Sequence, residues 1–256
     1  MAIYRFEVKI IGRSDNPMGR SIVACAAYRS GERLHDEKYE YTADYTQRKA
    51  GIVHSEIVAP DDALAWMTDR EKLWNGVDAK EDTSIRRKTA QLACEFIPAL
   101  PHELTQEQRH DLVMGFVKEE LVARGMVADV SIHEPKEGDN HHAHILCTMR
   151  DIGPEGFGKK NRDWNKDELI VEWREAWETH TNAALEAAGR PERVVSQAVF
   201  DHALDTTREL LRDETSGGWG LAIRSFHYAA NRIYNRKRAS TLTGEARQSM
   251  AWCVCT

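Results

Sequence analysis

The chain has 256 residues, 41% of them hydrophobic and 30% charged, which is the balance of an ordinary soluble globular protein. Its net charge of −6 argues against a protein that coats nucleic acid indiscriminately, although a local basic surface is compatible with that sum. No apolar run approaches the roughly 18–20 residues of a membrane span, and the five scattered cysteines favour buried thiols in a reducing cytoplasm over a disulfide framework.

The N-terminal half predicts strands separated by helices. Residues 2–11 alternate apolar and charged side chains, which is typical of a strand and not of a signal peptide. Ser21 is placed to cap a short helix that ends at Gly31, and residues 33–50 are polar and predict a loop. The next predicted elements are a short strand near residues 52–58, a helix from residue 60 to about residue 75, and a strand over residues 89–97.

The second half predicts two helices around a pair of strands. Thr105 caps a helix that has apolar helical periodicity and ends at Gly125. The elements that follow are strands near residues 127–133 and 141–149, a glycine-rich loop over residues 153–158, and a long helix over about residues 166–188. This order predicts an α+β or α/β sandwich, in which helices cover an antiparallel or mixed sheet.

The segment from His133 to Cys147 holds four of the chain's eleven histidines. A hairpin that turns at Glu137-Gly138 places each apolar residue of one strand opposite an apolar residue of the other. The resulting pairs are Ile132 with Ala143, Val130 with Ile145, and Ala128 with Cys147. The apolar residues alone therefore predict the register of the two strands.

The same register brings three histidines together on the other face of the hairpin. It puts His133 directly opposite His142, with His144 two residues along, at Cβ separations of about 4.5–5.5 Å and 7–8 Å. Three imidazoles at such distances can converge on one metal ion, and a ligand set without a carboxylate leaves positions open for water or a substrate oxygen. The alternative is a polar hairpin face whose histidines make ordinary hydrogen bonds.

At this hairpin the sequence resembles a known family. The segment DNHHAHIL resembles the Asn-Pro-His-x-His-hydrophobic motif of the MobA/MobL relaxases of plasmid mobilisation, with His141 where proline is common. These relaxases belong to the histidine-hydrophobic-histidine endonucleases. Further blocks resemble the family in matching order over most of residues 1–194: MAIYRFEVKIIGRS, SIVACAAYRSGE, VHSEIVAP, CEFIPALPHELT, RDIGPEGFGKKNRDWN and EWREAWETHTNAALEAAG.

The resemblance implies a central antiparallel sheet flanked by helices, and cleavage and rejoining of one DNA strand at a plasmid origin of transfer. By matching residues, Tyr28 is the nucleophile and forms a 5′-phosphotyrosine link. The implied metal ligands are His133, His142 and His144. The expected cofactor is a divalent ion, first Mn²⁺ or Mg²⁺, with Zn²⁺, Co²⁺ or Ni²⁺ as further possibilities. The expected partners are single-stranded or melted origin-of-transfer DNA, accessory mobilisation proteins and a type IV coupling or secretion system.

Further residues are candidates for the same site. Glu95 points away from the apolar face of its strand, so we expect it either to hydrogen-bond a liganding histidine or to accept the tyrosine proton. Glu56 competes for this role. The rival nucleophiles are tyrosines of the predicted loop outside the motif: Tyr39, Tyr41 and Tyr45.

Basic residues in segments that flank the site are expected to follow the DNA phosphates. Trp164 is expected either to stack on an unpaired base or to lie in the core. Each basic cluster taken singly also fits a solvated face. The expected phosphate-binding residues are Arg86, Arg87, Lys159, Lys160 and Arg162.

The resemblance fades near residue 195. We therefore expect a relaxase domain over residues 1–195 and a helical C-terminal extension over residues 196–256. The extension is basic from residue 224 to residue 247, which favours binding to DNA or a partner over a helix packed on the domain. The chain has no phosphate-binding G-x-x-x-x-G-K-[ST] segment, so no helicase motor is predicted.

Three other functions stay open at this point. The nearest keeps the active site and assigns it to the initiation of rolling-circle replication. The second is a three-histidine zinc hydrolase, in which metal-bound water attacks and Tyr28→Phe retains cleavage. The third is a DNA-binding module without catalysis, such as a repressor.

Overall fold

The computed structural model describes residues 4–13, 21–134 and 140–196. Its strands are β1 (Phe6–Gly12), β2 (Arg33–Asp36), β3 (Tyr41–Asp44), β4 (Ile52–Val58), β5 (Gln91–Pro98), β6 (Ala128–His133), β7 (His142–Cys147), β8 (Arg150–Gly153) and β9 (Gly156–Lys160). Its α-helices are α1 (Ile22–Ser30), α2 (Arg70–Asp82), α3 (Gln106–Phe116) and α4 (Asp167–Ala187).

The centre of the fold is a five-stranded antiparallel sheet in the order β1-β5-β7-β6-β4. Two small hairpins, β2-β3 and β8-β9, stand outside it. The predicted α+β class, a central antiparallel sheet flanked by helices, is confirmed. No helix in the described part of the chain is long and apolar enough to cross a membrane.

One face of the sheet packs against α3 and α4 through large aromatic side chains. We call it the aromatic face. Ring centroids of neighbouring aromatics lie 4.9–6.0 Å apart, mostly in edge or tilted geometry. The rings that form this core are Phe6, Phe96, Phe116, Trp173 and Trp177, all almost fully buried.

The other face packs against α1 and α2 and carries the histidines, so we call it the histidine face. Ala26 and Ala27 of α1 are buried, and their small side chains let this helix lie close to the sheet. Beneath the helices, Arg70 of α2 donates to both carboxylate oxygens of Asp129 at 2.9–3.0 Å, and Trp74 Nε1 donates to the same carboxylate at 2.8 Å. This face therefore combines buried ion pairs with an apolar core of its own, to which Leu73 and Trp74 belong.

Residues 33–50 form an ordered substructure rather than the predicted loop. They comprise the β2-β3 hairpin and a 3₁₀ helix, Thr46–Gly51. Leu34 and Ala43 face each other across this hairpin and are buried against the histidine-face core. One buried side chain per strand is too weak an alternation to predict a strand from sequence.

The helix predicted from residue 60 begins later. Asp69 caps α2 by accepting a hydrogen bond from Lys72 N at 3.1 Å, and the helix continues to Asp82. Residues 65–68 instead form a 3₁₀ helix.

The predicted helix from Thr105 to Gly125 changes geometry along its length. Thr105 and Gln108 make the reciprocal capping-box hydrogen bonds, so the predicted start is confirmed. Beyond Phe116 the helix widens into a π segment, Val117–Leu121, and then tightens into a 3₁₀ turn that ends at Gly125.

The glycine-rich loop predicted over residues 153–158 is instead part of the β8-β9 hairpin. The turn predicted at Glu137-Gly138 and nearly all of the predicted extension over residues 196–256 lie outside the described residues.

Candidate active site

The register predicted for β6 and β7 is confirmed in every pair. His133 faces His142, and the apolar pairs fall where the sequence placed them. His144 comes next along the same face, opposite Ser131. The three ring centroids lie 4.9–5.2 Å from one another, and one nitrogen of each ring lies within 4.8 Å of the other two. The strands therefore gather three imidazoles at one point, which a divalent ion could occupy.

Each imidazole is oriented by a hydrogen bond through one of its nitrogens. Nε2 of His133 is 2.7 Å from the carbonyl oxygen of Arg29, and Nδ1 of His142 is 2.8 Å from that of Asn140. Nδ1 of His144 is 2.7 Å from Oε1 of Glu95. Because each ring donates through one nitrogen, its other nitrogen keeps a lone pair for a metal. This donor set fits a divalent ion.

Two of the three histidines, His133 and His142, are held in the neutral form that binds metals. Burial, together with the charges of the two other imidazoles and of Arg48, lowers the pKa of His133 to about 4 despite the opposing hydrogen bond to the Arg29 carbonyl. Burial and the His144 charge also lower the pKa of His142. Protons therefore compete little with a metal ion at neutral pH.

Glu95 of β5 joins the histidines to α1. It is buried, and Arg29 donates to its two oxygens from Nε at 2.5 Å and from Nη2 at 2.7 Å, while His144 donates to Oε1. Burial alone would raise the pKa of Glu95, but the hydrogen bonds from His144 and Arg29 outweigh it and hold the pKa at about 2. Its rival Glu56 is paired with Val130 and lies on the aromatic face, away from the histidines.

Tyr28 lies in the last turn of α1, next to the residue whose carbonyl accepts from His133. Tyr28 as a whole residue is 36% exposed. The Arg48 guanidinium carbon lies 4.1 Å from the ring centroid, and the ring of Tyr45 meets it edge-on at 5.3 Å. Arg48 also acts on His133 through its charge, so one cation is shared by the tyrosine and the histidine cluster.

The turn after α1 requires glycine. Gly31 has φ 63°, and a Cβ at this position would lie 2.7 Å from Cδ1 of Ile52 and 3.1 Å from Cα of Lys49. The chain can therefore pass close to the start of β4, which places the 3₁₀ helix of residues 46–51 beside Tyr28.

Of the rival tyrosines, Tyr45 contacts Tyr28, whereas Tyr39 and Tyr41 belong to the β2-β3 hairpin region and have exposed rings. Of these three tyrosines, Tyr45 therefore lies beside the candidate nucleophile Tyr28.

The predicted phosphate-binding residues gather at the opposite end of β5 from the histidines. Lys160 Nζ contacts the carbonyl of Gln91 at 2.5 Å and Glu81 at 3.1 Å, whereas His142 pairs with Ala99, just beyond the other end of β5. At about 3.3 Å per residue, these ends are roughly 25 Å apart. The expected role of these basic residues in binding DNA phosphates stays a prediction. Arg86, Arg87, Lys159 and Arg162 are exposed, and Lys160 is half-buried.

Trp164 belongs to the aromatic-face core and is 4% exposed. Its ring is therefore not available to stack on a base in this conformation, and the core alternative agrees with its burial.

Sequence reasoning missed two arginines of the site. Arg29 orients Glu95, and Arg48 covers the ring of Tyr28. A signal existed for Arg29, since it follows Tyr28 in the helix motif. Arg48 lay in a segment that was interpreted as a loop.

Comparison with known families finds one whose model matches most of the chain. The model of the MobA/MobL family matches residues 20–210. The chain belongs to the MobA/MobL family. The MobA/MobL match extends beyond residue 195, where the resemblance of the motifs was expected to fade. The predicted boundary between residues 195 and 196 stays a prediction.

Relatives are found among conjugation and mobilisation proteins. The chain is 39% identical to conjugal transfer protein TraA of Agrobacterium fabrum over 62% of its own length, and 35% identical to mobilization protein MobL of Acidithiobacillus ferridurans over 76%. The matches span 14% of that TraA and 57% of that MobL, so the chain corresponds to only part of either relative.

A solved structure described as "Molecular Basis of Vancomycin Resistance Transfer in Staphylococcus aureus" has the same fold. It superimposes with a TM-score of 0.69 at 35% sequence identity, over 76% of this chain and 98% of the other.

Proposed function

We propose that this chain is a relaxase that nicks and rejoins one DNA strand at a plasmid origin of transfer, with Tyr28 as nucleophile. The observation that carries the proposal is the convergence of three oriented imidazoles beside the last turn of the helix that holds Tyr28. The names of the relatives, conjugal transfer and mobilization proteins, support the same class of reaction.

In the proposed step, the Tyr28 hydroxyl oxygen attacks a DNA phosphorus. A bond forms between phosphorus and Oη, the bond to the 3′ oxygen breaks, and the 3′ oxygen leaves as a hydroxyl after it gains a proton. The product is a 5′-phosphotyrosine, and attack by a 3′-hydroxyl in the reverse sense reseals a strand. No net loss of phosphodiester energy occurs, so rejoining needs no nucleotide cofactor.

His133, His142 and His144 are the proposed ligands of a divalent ion, with Mn²⁺ or Mg²⁺ first and Zn²⁺, Co²⁺ or Ni²⁺ as alternatives. The chemistry of such an ion at this point is Lewis-acid stabilisation of the charge on the phosphate oxygens. The role of the chain is to hold three neutral nitrogens in fixed directions, through Glu95 and the carbonyls of Arg29 and Asn140.

Glu95 is proposed as a positioning residue rather than a base. Both of its oxygens already accept hydrogen bonds from Arg29, and one also accepts from His144. A carboxylate so occupied has little capacity left to take the tyrosine proton. We therefore propose that the proton passes to water at the exposed side of the Tyr28 ring.

Arg48 is proposed to hold the ring and to offset charge at the same time. Its guanidinium packs on the face of Tyr28, where a cation favours the developing phenolate.

The exposed Arg86, Arg87, Lys159 and Arg162 are proposed to contact phosphates several nucleotides from the cleaved bond, at the far end of β5. Further proposed features are a cytoplasmic location, accessory mobilisation proteins and a type IV coupling or secretion system.

The test uses supercoiled DNA of the replicon that encodes the protein, incubated with the full chain and Mn²⁺ or Mg²⁺. The reaction is stopped with detergent and protease, and open circles are examined for a peptide at the 5′ end. We expect the adduct with the native chain and with Tyr39→Phe, and none with Tyr28→Phe.

Other results point to other functions. Nicking that survives Tyr28→Phe without an adduct would mean that metal-bound water attacks, as in a hydrolase. An adduct that moves to Tyr45 would reassign the nucleophile. DNA binding that is indifferent to metal and to loss of the histidines, with no cleavage, would indicate a binding module. Nicking at a replication origin in place of a transfer origin would assign the chain to rolling-circle initiation.

A further inference from the structure

A second group of potential metal ligands lies on the aromatic side of the sheet, where edge strand β4 meets α3. It comprises His54, Glu56 and His110, and one donor atom of each lies within 4.8 Å of the other two. We call it the edge cluster. The chemistry proposed for the histidine face makes no use of it.

The fold builds the edge cluster from strand alternation and a helix cap. His54 is paired with Ile132 and Glu56 with Val130, both of which face the aromatic core, so these two side chains share that face. His110 comes from the second turn of α3, after the Thr105 cap. The His54 and His110 rings meet edge-to-face with centroids 4.5 Å apart.

The hydrogen bonds of the edge cluster leave donor atoms available. Nε2 of His54 is buried and makes no hydrogen bond to any residue that the structure describes, although Oε1 of Glu56 is only 3.1 Å away. Nδ1 of His110 lies 3.0 Å from Oδ1 of Asp111, which orients the ring and leaves Nε2 for another partner. A carboxylate that holds one nitrogen of an imidazole is the usual support of a metal-binding histidine.

The donor types favour zinc. Two imidazoles and one carboxylate make a set that Zn²⁺ binds in tetrahedral geometry, with the fourth position open to water. Donors at such a centre lie about 3.4 Å apart, given metal–ligand distances near 2.1 Å. The side chains of Glu56 and His110 are 44% and 38% exposed, so they have room to close from the observed spread to that distance.

We propose that His54, Glu56 and His110 form a second metal site, which binds Zn²⁺ and fastens edge strand β4 to α3. The site is independent of the proposed nicking function, because its residues point to the opposite face of the sheet. Its expected role is structural: a metal bound only by the folded chain stabilises the contact between the strand and the helix.

The experiment measures zinc stoichiometry on the full, tag-free chain after treatment with a chelator. Zinc alone is titrated by calorimetry and by competition with a chromophoric chelator. We expect two zinc ions per native chain, and one for a variant with His142→Ala and His144→Ala. His110→Ala and Glu56→Gln should each reduce the native stoichiometry from two to one. His102→Ala, another partly exposed histidine near α3, is the matched control and should keep two.

A thermal melt separates ligand loss from misfolding. Without zinc, His110→Ala should melt within a few degrees of the native chain. Added zinc should raise the melting temperature of the double variant with His142→Ala and His144→Ala. It should not raise the melting temperature of the triple variant that also carries His110→Ala. The proposal is overturned if that double variant binds no zinc, or if His110→Ala leaves the stoichiometry unchanged. Either result can be read without a nicking assay, so the outcome is distinct from that of the proposed function.

Discussion

The two faces of the five-stranded sheet differ in the kind of side chain that they bury. The aromatic face buries rings against α3 and α4, and apolar burial of this kind supplies most of the folding free energy. The histidine face buries charges, notably Arg29 with Glu95 and Arg70 with Asp129. Buried ion pairs contribute little net stability but are costly to break, and they hold side chains in fixed directions. Both faces bury an apolar core, and on the histidine face the ion pairs also orient the reactive groups.

The largest effect on the nicking rate is expected from a substitution on the histidine face, and it tests the contrast between the two faces. Tyr28→Phe should lower nicking by about 10⁴-fold or more, since a nucleophile is removed, while leaving the unfolding midpoint nearly unchanged. The measurement is the nicking rate alongside a denaturant melt. Tyr39→Phe, an exposed tyrosine of the same chain region, is the control, and a comparable loss in that variant would contradict the assignment.

The next largest effect is expected on stability, from a substitution on the aromatic face. Trp177→Ala should destabilise the fold by about 3–5 kcal/mol, because its ring is fully buried and packs on Phe6 and Phe116. Chemical denaturation measures the loss. The fraction that stays folded should nick at the native rate, and a lower rate per folded molecule would show that the two faces are coupled.

A carboxylate on each face gives a matched pair. Glu95→Gln should weaken metal-dependent nicking by about 10–100-fold, because His144 loses its charged partner. Glu56→Gln on the opposite face should leave nicking intact. Titration of the nicking rate with Mn²⁺ distinguishes the two variants, and equal effects would break the proposed separation of roles.

The smallest expected effect concerns the cation over the nucleophile. Arg48→Met should slow nicking by about 2–5-fold, since an exposed cation–π contact contributes about 0.5–1 kcal/mol. Arg48→Lys keeps the charge and should recover part of the rate. If both variants nick at the native rate, Arg48 has no part in positioning Tyr28.

The features of the fold and site that the sequence could predict are those whose contacting residues lie close together in the sequence. The β6-β7 register followed from pairing apolar residues across a nearby turn, so His133 and His142 were placed correctly without a structure. The Arg29–Glu95 pair joins positions 66 residues apart, and no local pattern signals it. The sequence could not place the basic clusters along the sheet, because side-chain alternation reports which face a residue occupies and not which end of the strand lies near the site.

The aromatic core also dictates when the fold can form. Tyr4 donates to the carbonyl of Arg174 at 3.0 Å across 170 positions, and Phe6 stacks on Trp177, so the first strand and the last described helix complete one core. At about 5–20 residues per second, a ribosome makes α4 roughly 10–30 s after β1. During that interval α3 can already pack on the sheet, but Phe6 and Phe96 still lack the rings of Trp177 and Trp173 that pack on them in the complete fold. A nascent chain of this protein therefore exposes part of an aggregation-prone apolar sheet face until α4 has been synthesised and covers it.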